Sequence, residues 1–243
     1  MNADDSDPDG IVRVRAPNPS PMTLDGTNSY VVGHWVVDPG PDDAGHLDAV
    51  RAAAGGRIDG AVLTHGHGDH ADGSERLRVP VLQPGEGEEA GPFRAIATPG
   101  HSADSVCLLM GRTCFTGDTV LGAGSVFIAP GEGSLSAYLD SLRRLQKLDL
   151  ELLCPGHGPY VRDPAAKLDE YLVHRLDRER RLKAALEAGV SDRDELLDEV
   201  WSDAPVELRP AAALTLEAHL EKLREEGHAH ALGVEQPDAD GHG

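Results

Sequence analysis

Seven consecutive residues constrain this chain more than any other stretch: Thr64-His65-Gly66-His67-Gly68-Asp69-His70. Three imidazoles and a carboxylate fall within six positions. Imidazole is the commonest metal-binding side chain, and together with carboxylate it suits zinc or iron. Gly66 and Gly68 carry no Cβ, so the loop can turn tightly enough to aim its ligands inward. The run Ile58-Asp59-Gly60-Ala61-Val62-Leu63 before it reads as a short apolar strand. The ligands are therefore expected on the loop past a strand end, where sites in layered α/β folds tend to lie.

Three later segments repeat that plan. Ala95-Ile96-Ala97-Thr98-Pro99-Gly100-His101 is a strand, a Pro-Gly turn and a His. Thr113-Cys114-Phe115-Thr116-Gly117-Asp118 is a strand, a Gly and an Asp. Leu150 to Cys154 followed by Pro155-Gly156-His157-Gly158 is again a strand, a Pro-Gly turn and a His. A lone His after a strand is usually a surface or capping residue. Of the 12 His in the chain, His34, His46, His174, His219, His228, His230 and His242 are read that way. The other five, with Asp69 and Asp118, are read as one shared metal site.

The order and spacing of T-H-G-H-G-D-H, P-G-H-S at 99–102, G-D-T at 117–119 and P-G-H-G at 155–158 resemble the metallo-β-lactamase-fold hydrolases. The resemblance extends upstream to Gly26–Gly33 and Val36–Gly40, an early hairpin and a turn beneath the metals. Downstream, Tyr171–Arg180 is similar to the linker helix of the β-lactamase-like protein 2 subgroup, which carries a C-terminal winged helix. The resemblance spans roughly residues 11–232. It implies an α/β fold, an αββα metallo-β-lactamase sandwich with a small C-terminal winged-helix domain. The implied boundaries are a disordered tail at 1–10, a catalytic domain at 11–163, a linker helix at 164–187, a winged-helix-like domain at 188–234 and a second disordered tail at 235–243.

The family pattern also implies the chemistry. His65, His67 and His101 would bind one metal ion, Asp69, His70 and His157 a second, and Asp118 would bridge them. Two divalent ions, zinc first with iron or manganese as alternatives, would share a hydroxide that attacks an ester or a phosphodiester, single-stranded RNA among them. Asp69 would also be placed to relay a proton to the leaving group, which makes Asp69 and Asp118 the candidate catalytic pair. Having both carboxylates argues against β-lactam cleavage. Two alternatives stand beside this reading: a hydroxyacylglutathione-type thioesterase, for which no basic pair can be placed in the helical tail, and a non-enzymatic DNA-binding regulator. Ser102, Tyr138 and Tyr160 are candidate cleft-lining groups.

Composition enters through charge. Asp and Glu number 42 against 22 Lys and Arg, a formal charge of −20. Only four residues are Lys (147, 167, 183 and 222). An acidic, Lys-poor surface is expected of a halophile's protein. From Asp192 to Glu226 eleven acids face four bases, and affinity for nucleic acid rests largely on Lys and Arg neutralising phosphates, so duplex DNA is not an expected partner of the winged helix. Cys107, Cys114 and Cys154 sit in apolar runs and read as buried thiols, with a supporting role at the metals open for Cys154. No apolar run approaches the ~18 residues of a membrane span, and the acidic N-terminus lacks signal-peptide blocks. A cytoplasmic protein acting on a small ester or thioester, or on RNA, is expected; its oligomeric state is open.

The expected elements are a strand at 11–14, a hairpin at 30–37 and helices at 44–54 and 69–77. A strand at 79–82 and a polar, cleft-side loop at 85–91 follow. Strands at 106–110 and 112–116 then precede helices at 134–147 and 164–187. Short helices at 192–201 and 209–226 and a wing at 227–234 complete the chain. The helix at 134–147 is the most regular, because Leu135, Tyr138, Leu139, Leu142, Leu145 and Leu148 keep the three-and-four spacing of one buried face.

Overall fold

The computed structural model describes residues 5–228. Its first sheet holds β1 (Ile11–Arg15), β2 (Asn28–Val32), β3 (Trp35–Val37), β4 (Gly60–Val62) and β5 (Val81–Leu82), side by side in that order. β1, β2 and β3 pair antiparallel, then β3, β4 and β5 pair parallel. The second sheet holds β6 (Glu89–Ala90), β7 (Phe93–Ala97), β8 (Val106–Met110), β9 (Thr113–Gly117) and β10 (Leu152–Pro155), in the order β10-β9-β8-β7-β6. Only the β9–β10 pair is parallel there.

The period-two alternation of strand side chains builds the layers. Tyr30, Val37 and Val62 from the first sheet meet Phe93, Leu108, Phe115 and Cys154 from the second in one buried cluster between the sheets. Their neighbours face outward. Val31, Val36 and Ala61 pack under Leu47 and Val50 of α1 (Ala44–Ala53). Cys107, Cys114 and Leu153 pack under α4 (Leu135–Leu145), which buries the six side chains Leu135, Tyr138, Leu139, Ser141, Leu142 and Leu145. Each such leucine contributes about 1.5–3 kcal/mol by burial. Ser134 caps α4 by accepting from the Ala137 amide at 3.3 Å. The αββα sandwich is thus present, with helices on both outer faces.

The helix expected over 69–77 is two short ones, α2 (Gly68–Ala71) and α3 (Ser74–Leu77). The break has a tertiary cause: the Gly73 amide donates to Gly40 O at 2.8 Å, and a Cβ at Gly73 would sit 2.9 Å from that oxygen. The expected strand at 79–82 shortens to Val81–Leu82. No residue of loop 85–91 lines the cavity at the ligands, and Glu86 pairs instead with Arg144 of α4.

Beyond the sandwich, α5 (Pro164–Glu187) starts under the Asp163 cap and contributes Leu168, Tyr171 and Leu172 to the core beneath α4. Its second half joins another cluster with α6 (Arg193–Val200), Trp201 and α7 (Arg209–Glu225), built on Leu182, Leu186, Leu196, Leu197, Leu216 and Leu220. One continuous helix therefore serves both cores. The expected wing at 227–234 lies, from 229 on, outside the described residues, as do 1–4 and the tail at 235–243. Residues 5–10 differ from a disordered tail: Asp5 pairs with Arg13 at 2.7 Å, and Asp7 Oδ1 accepts from the Tyr160 hydroxyl at 2.9 Å. Among the described residues no helix is long and apolar enough to cross a membrane.

Candidate metal centre

All seven expected ligands lie just past the C-terminal ends of β4, β7, β9 and β10. His65 and His67 follow β4, Asp69 and His70 sit in α2, His101 follows β7, Asp118 follows β9 and His157 follows β10. Their side chains converge in three overlapping groups: His65, His67 and His101; Asp69, His70 and His157; and His65, His70 and Asp118. His67 Nδ1 stands 3.1 Å from His65 Nε2 and 3.0 Å from His101 Nε2. His157 Nε2 stands 3.3 Å from Asp69 Oδ2, 3.3 Å from Asp118 Oδ2 and 3.4 Å from His70 Nε2. Asp118 reaches towards both groups, with Oδ1 3.4 Å from His70 Nε2 and Oδ2 3.9 Å from His101 Nε2.

Which ring nitrogen faces inward is set from outside. The Nδ1 atoms of His65, His70, His101 and His157 face Thr64 Oγ1 at 3.1 Å, Asp38 Oδ2 at 2.9 Å, Phe127 O at 3.1 Å and Gly26 O at 3.3 Å. Each of these oxygens can accept the Nδ1 proton, which leaves Nε2 with its lone pair aimed at the centre. Asp38 organises two of the rings: its carboxylate accepts from the Thr64 amide and hydroxyl, both at 2.7 Å. Thr27 Oγ1 donates to Asp69 Oδ2 at 3.1 Å.

The electrostatics demand positive charge at this point. Burial pushes both Asp69 and Asp118 up, but the surrounding His157 and His70 outweigh it, holding Asp69 at about 2 and Asp118 well below the usual carboxylate range. Burial pushes His157 down, yet Asp118 and Asp69 raise it to about 9, and His70 rises for the same kind of reason beside Asp118 and Asp38. His65 is driven down to about 2 by burial and by the charge of the neighbouring His70, which outweigh Asp118, and burial lowers His101 as well. Lone pairs aimed at one another at 3 Å repel unless a cation lies between them. Asp118 Oδ1 is buried with no hydrogen-bond partner. A Cβ added to Gly156 would stand 2.4 Å from that oxygen, so the glycine keeps room beside it. The donor set, the orphaned oxygen and this space all fit divalent cations.

Beside the ligands opens a cavity of about 630 Å³. His67, Asp69, Asp118 and His157 line it on one side, and α5 and the segments around α6 and α7 line it on the other. Much of the wall is apolar, through Met22, Leu24, Leu121, Val126, Phe127 and Trp201.

Residues 22–80 and 73–157 match the profile of the Metallo-beta-lactamase superfamily. This chain belongs to that superfamily. Residues 193–234 match the Beta-lactamase associated winged helix domain, which places the described α6 and α7 in that domain. Among its superfamily relatives, the Beta-lactamase-like protein 2 homolog of Caenorhabditis elegans is 30% identical, over 90% of this chain and 85% of its own length. An Atrochrysone carboxyl ACP thioesterase of Aspergillus chevalieri is 35% identical, over 72% of this chain and 65% of its own. The crystal structure of a metallo-beta-lactamase family protein from Thermus thermophilus superposes with a TM-score of 0.72 at 23% identity, covering 90% of this chain and 94% of that one.

Other expected site residues lie elsewhere. The Ser102 hydroxyl is taken up by Asp104 and Ser105, Tyr138 donates to Thr119 O, and Tyr160 is turned to Asp7, so none of the three lines the cavity. Cys154 packs between the sheets, where burial raises its thiol. His46 and His219 are buried rather than at the surface, and His174 lines the cavity. The sequence reading missed the supporting role of Asp38, although Val37-Asp38-Pro39-Gly40 marks a turn and Asp38 has a φ of +49°. It also missed Phe127, whose contribution is a backbone oxygen and leaves no mark in the sequence.

Proposed function

We propose that the protein is a dinuclear metal-dependent hydrolase of carboxylic thioesters or esters with an apolar acyl group. The observation that carries this reading is the opening of the seven-residue cluster onto a largely apolar cavity. His65, His67 and His101 would hold one cation, Asp69, His70 and His157 the other, with Asp118 between them. Zinc fits the imidazole-rich set, and iron and manganese fit it as well. Bound there, divalent cations supply a water of lowered pKa and a Lewis acid for the scissile oxygen.

The chain's own groups do the rest. Asp69 lines the cavity, with its side chain 31% exposed and Oδ2 fixed by the Thr27 hydroxyl. Held charged at about 2, it is placed to accept a hydrogen bond from water entering there and to orient that water towards the bond to be cleaved. Asp118 is almost buried and accepts no proton readily, which suits a fixed negative charge between the two cation positions. The apolar wall takes the acyl chain and excludes bulk water from the bond to be cleaved. The relative from Aspergillus chevalieri, by name a thioesterase, supports this substrate class.

Single-stranded RNA and DNA are weaker readings. The formal charge of −20 opposes a polyanion, and a complete, converging ligand set has no use in a mere DNA-binding regulator. The test is hydrolysis of short acyl thioesters, acyl esters and single-stranded RNA by the full chain, after chelation and after return of zinc, iron or manganese. Metal-dependent thioester or ester cleavage is expected, with His157→Ala losing more than the ~10–100-fold typical of a supporting residue. Cleavage of RNA alone, or chelator-resistant turnover, would overturn the proposal.

A further inference from the structure

We propose that Arg175 forms, in the α5 wall of the same cavity, a binding subsite for an anionic group carried by the substrate. This rests on the proposed function and narrows its substrate class. Arg175 lines the cavity although it is only 2% exposed. A guanidinium stays charged in a protein, and burying it is costly without a paired anion. Here Nη2 donates to Ser125 Oγ at 3.0 Å and to Val126 O, and the group lies 5.5 Å from the centre of the Tyr138 ring. Nε has no hydrogen-bond partner. Among the described residues no Asp or Glu pairs with Arg175.

Its neighbours sharpen the contrast. Arg178, one turn further along α5, also lines the cavity but is neutralised by Asp203 at 2.6 Å and donates to Val200 O. The acids of this wall are engaged: Asp203 with Arg178, and Glu170 with Lys167 at 2.9 Å. His174 accepts from Arg178 Nε at 3.3 Å. Arg175 is left as the cation facing the cavity without a counter-charge. A guanidinium matches carboxylate and phosphate oxygens through paired N–H donors. A substrate with its scissile carbonyl at the ligand cluster and an anion at Arg175 would satisfy both ends of the cavity. The anion has two candidate sources, a carboxylate on the acyl chain or a phosphate on the thiol arm.

The rival explanation is bracing. Residues 125–127 run from Arg175, through Ser125 and Val126, to Phe127 O on His101, so Arg175 could serve only to hold that strap. Two matched substrate pairs separate the cases: hexanoyl and adipyl thioesters of N-acetylcysteamine, and hexanoyl thioesters of pantetheine and phosphopantetheine. The metal-loaded full chain is compared with Arg175→Gln and Arg175→Lys. The wild type is expected to favour the anionic member of one pair by about 10- to 100-fold in kcat/KM, and Arg175→Gln to erase that preference. Arg175→Lys is expected to keep part of it. The pair that responds identifies the source of the anion. No preference in either pair, or an equal loss on both members in Arg175→Gln, overturns the subsite. If the wild type cleaves no thioester, the proposed function is decided separately by the ester arm of its own test. The subsite is then decided by calorimetric titration of the chelated full chain with adipate and with phosphopantetheine. Binding that Arg175→Gln abolishes supports it, and no binding to the wild type overturns it.

Discussion

Asp38 shows how much of this centre depends on a residue that holds no cation. It fixes His70 directly and His65 through the Thr64 hydroxyl, so one carboxylate aims two of the five imidazoles. Asp38→Asn puts amide hydrogens where those donors need an acceptor. Metal affinity, measured by chelator competition, is expected to fall about 10- to 100-fold with the fold retained; wild-type affinity in the variant would remove Asp38 from this role. The titrating groups make a second prediction for the metal-free protein. The ordinary imidazole value is 6.5, whereas the folded chain keeps a proton on His157 to about pH 9 and on His70 well above 6.5. Between those values the folded state binds more protons than the unfolded state, so the stability these two contribute is lost as pH rises. Below 6.5 the sign reverses, because burial keeps His65 (to about 2), His101 and His219 from taking protons that the unfolded chain accepts. Melting temperature of the chelated protein should therefore peak near pH ~6.5 and decline on both sides. Bound cations would replace the two protons and remove the alkaline decline. A steady rise from pH ~6.5 to ~9 without metal would contradict the charge balance assigned to the site.

At the scale of elements, the parts legible in the sequence were those whose cause is local. The spacing from Leu135 to Leu145 announces a helix with one buried face, and the structure has it with Ser134 as its cap. The strand, glycine and ligand repeats were legible because apolar alternation and Pro-Gly turns are written in adjacent residues. Tertiary causes were not legible. Gly73 breaks 69–77 through Gly40, thirty-odd residues earlier in the chain. Asp5 and Asp7 belong by composition to a loose acidic tail, yet Arg13 and Tyr160 hold them. The carbonyls of Gly26 and Phe127 orient His157 and His101, and a carbonyl looks the same in every residue. The turn after β10 makes a prediction of its own. A Cβ at Gly156 would stand 2.4 Å from Asp118 Oδ1 and 2.6 Å from His70 Cε1, so it would intrude between two expected ligands. Gly156→Ala should fold, since the two closest clashes are with side chains at the site and the backbone contact, Gly117 C at 3.1 Å, asks for only a small shift, but it should retain at most about one cation per chain in elemental analysis. Two cations with unchanged turnover would show that the glycine is not needed there.

For the whole molecule the governing quantity is charge. The chain carries a formal excess of 20 negative charges and only four Lys, of which Lys222 is buried. Local pairs such as Glu86–Arg144 and Arg76–Asp42 are exposed and offset little of it. Self-repulsion of like charge destabilises a compact state, and salt relieves it by shortening the Debye length from ~10 Å at ~0.1 M to ~3 Å at ~1 M. Salt weakens the exposed pairs over the same range, so the two effects oppose each other. With 42 acids against 22 bases, unpaired carboxylates must remain whatever the pairing, and their repulsion should win. Melting temperature is therefore expected to rise with KCl between ~0.1 and ~1 M, most steeply at the low end where the Debye length changes fastest. This is the behaviour proposed for a protein adapted to salt. A melting temperature that stays flat or falls over that range would mean that the surface pairs stabilise more than the net charge destabilises, and salt adaptation would have to be given up.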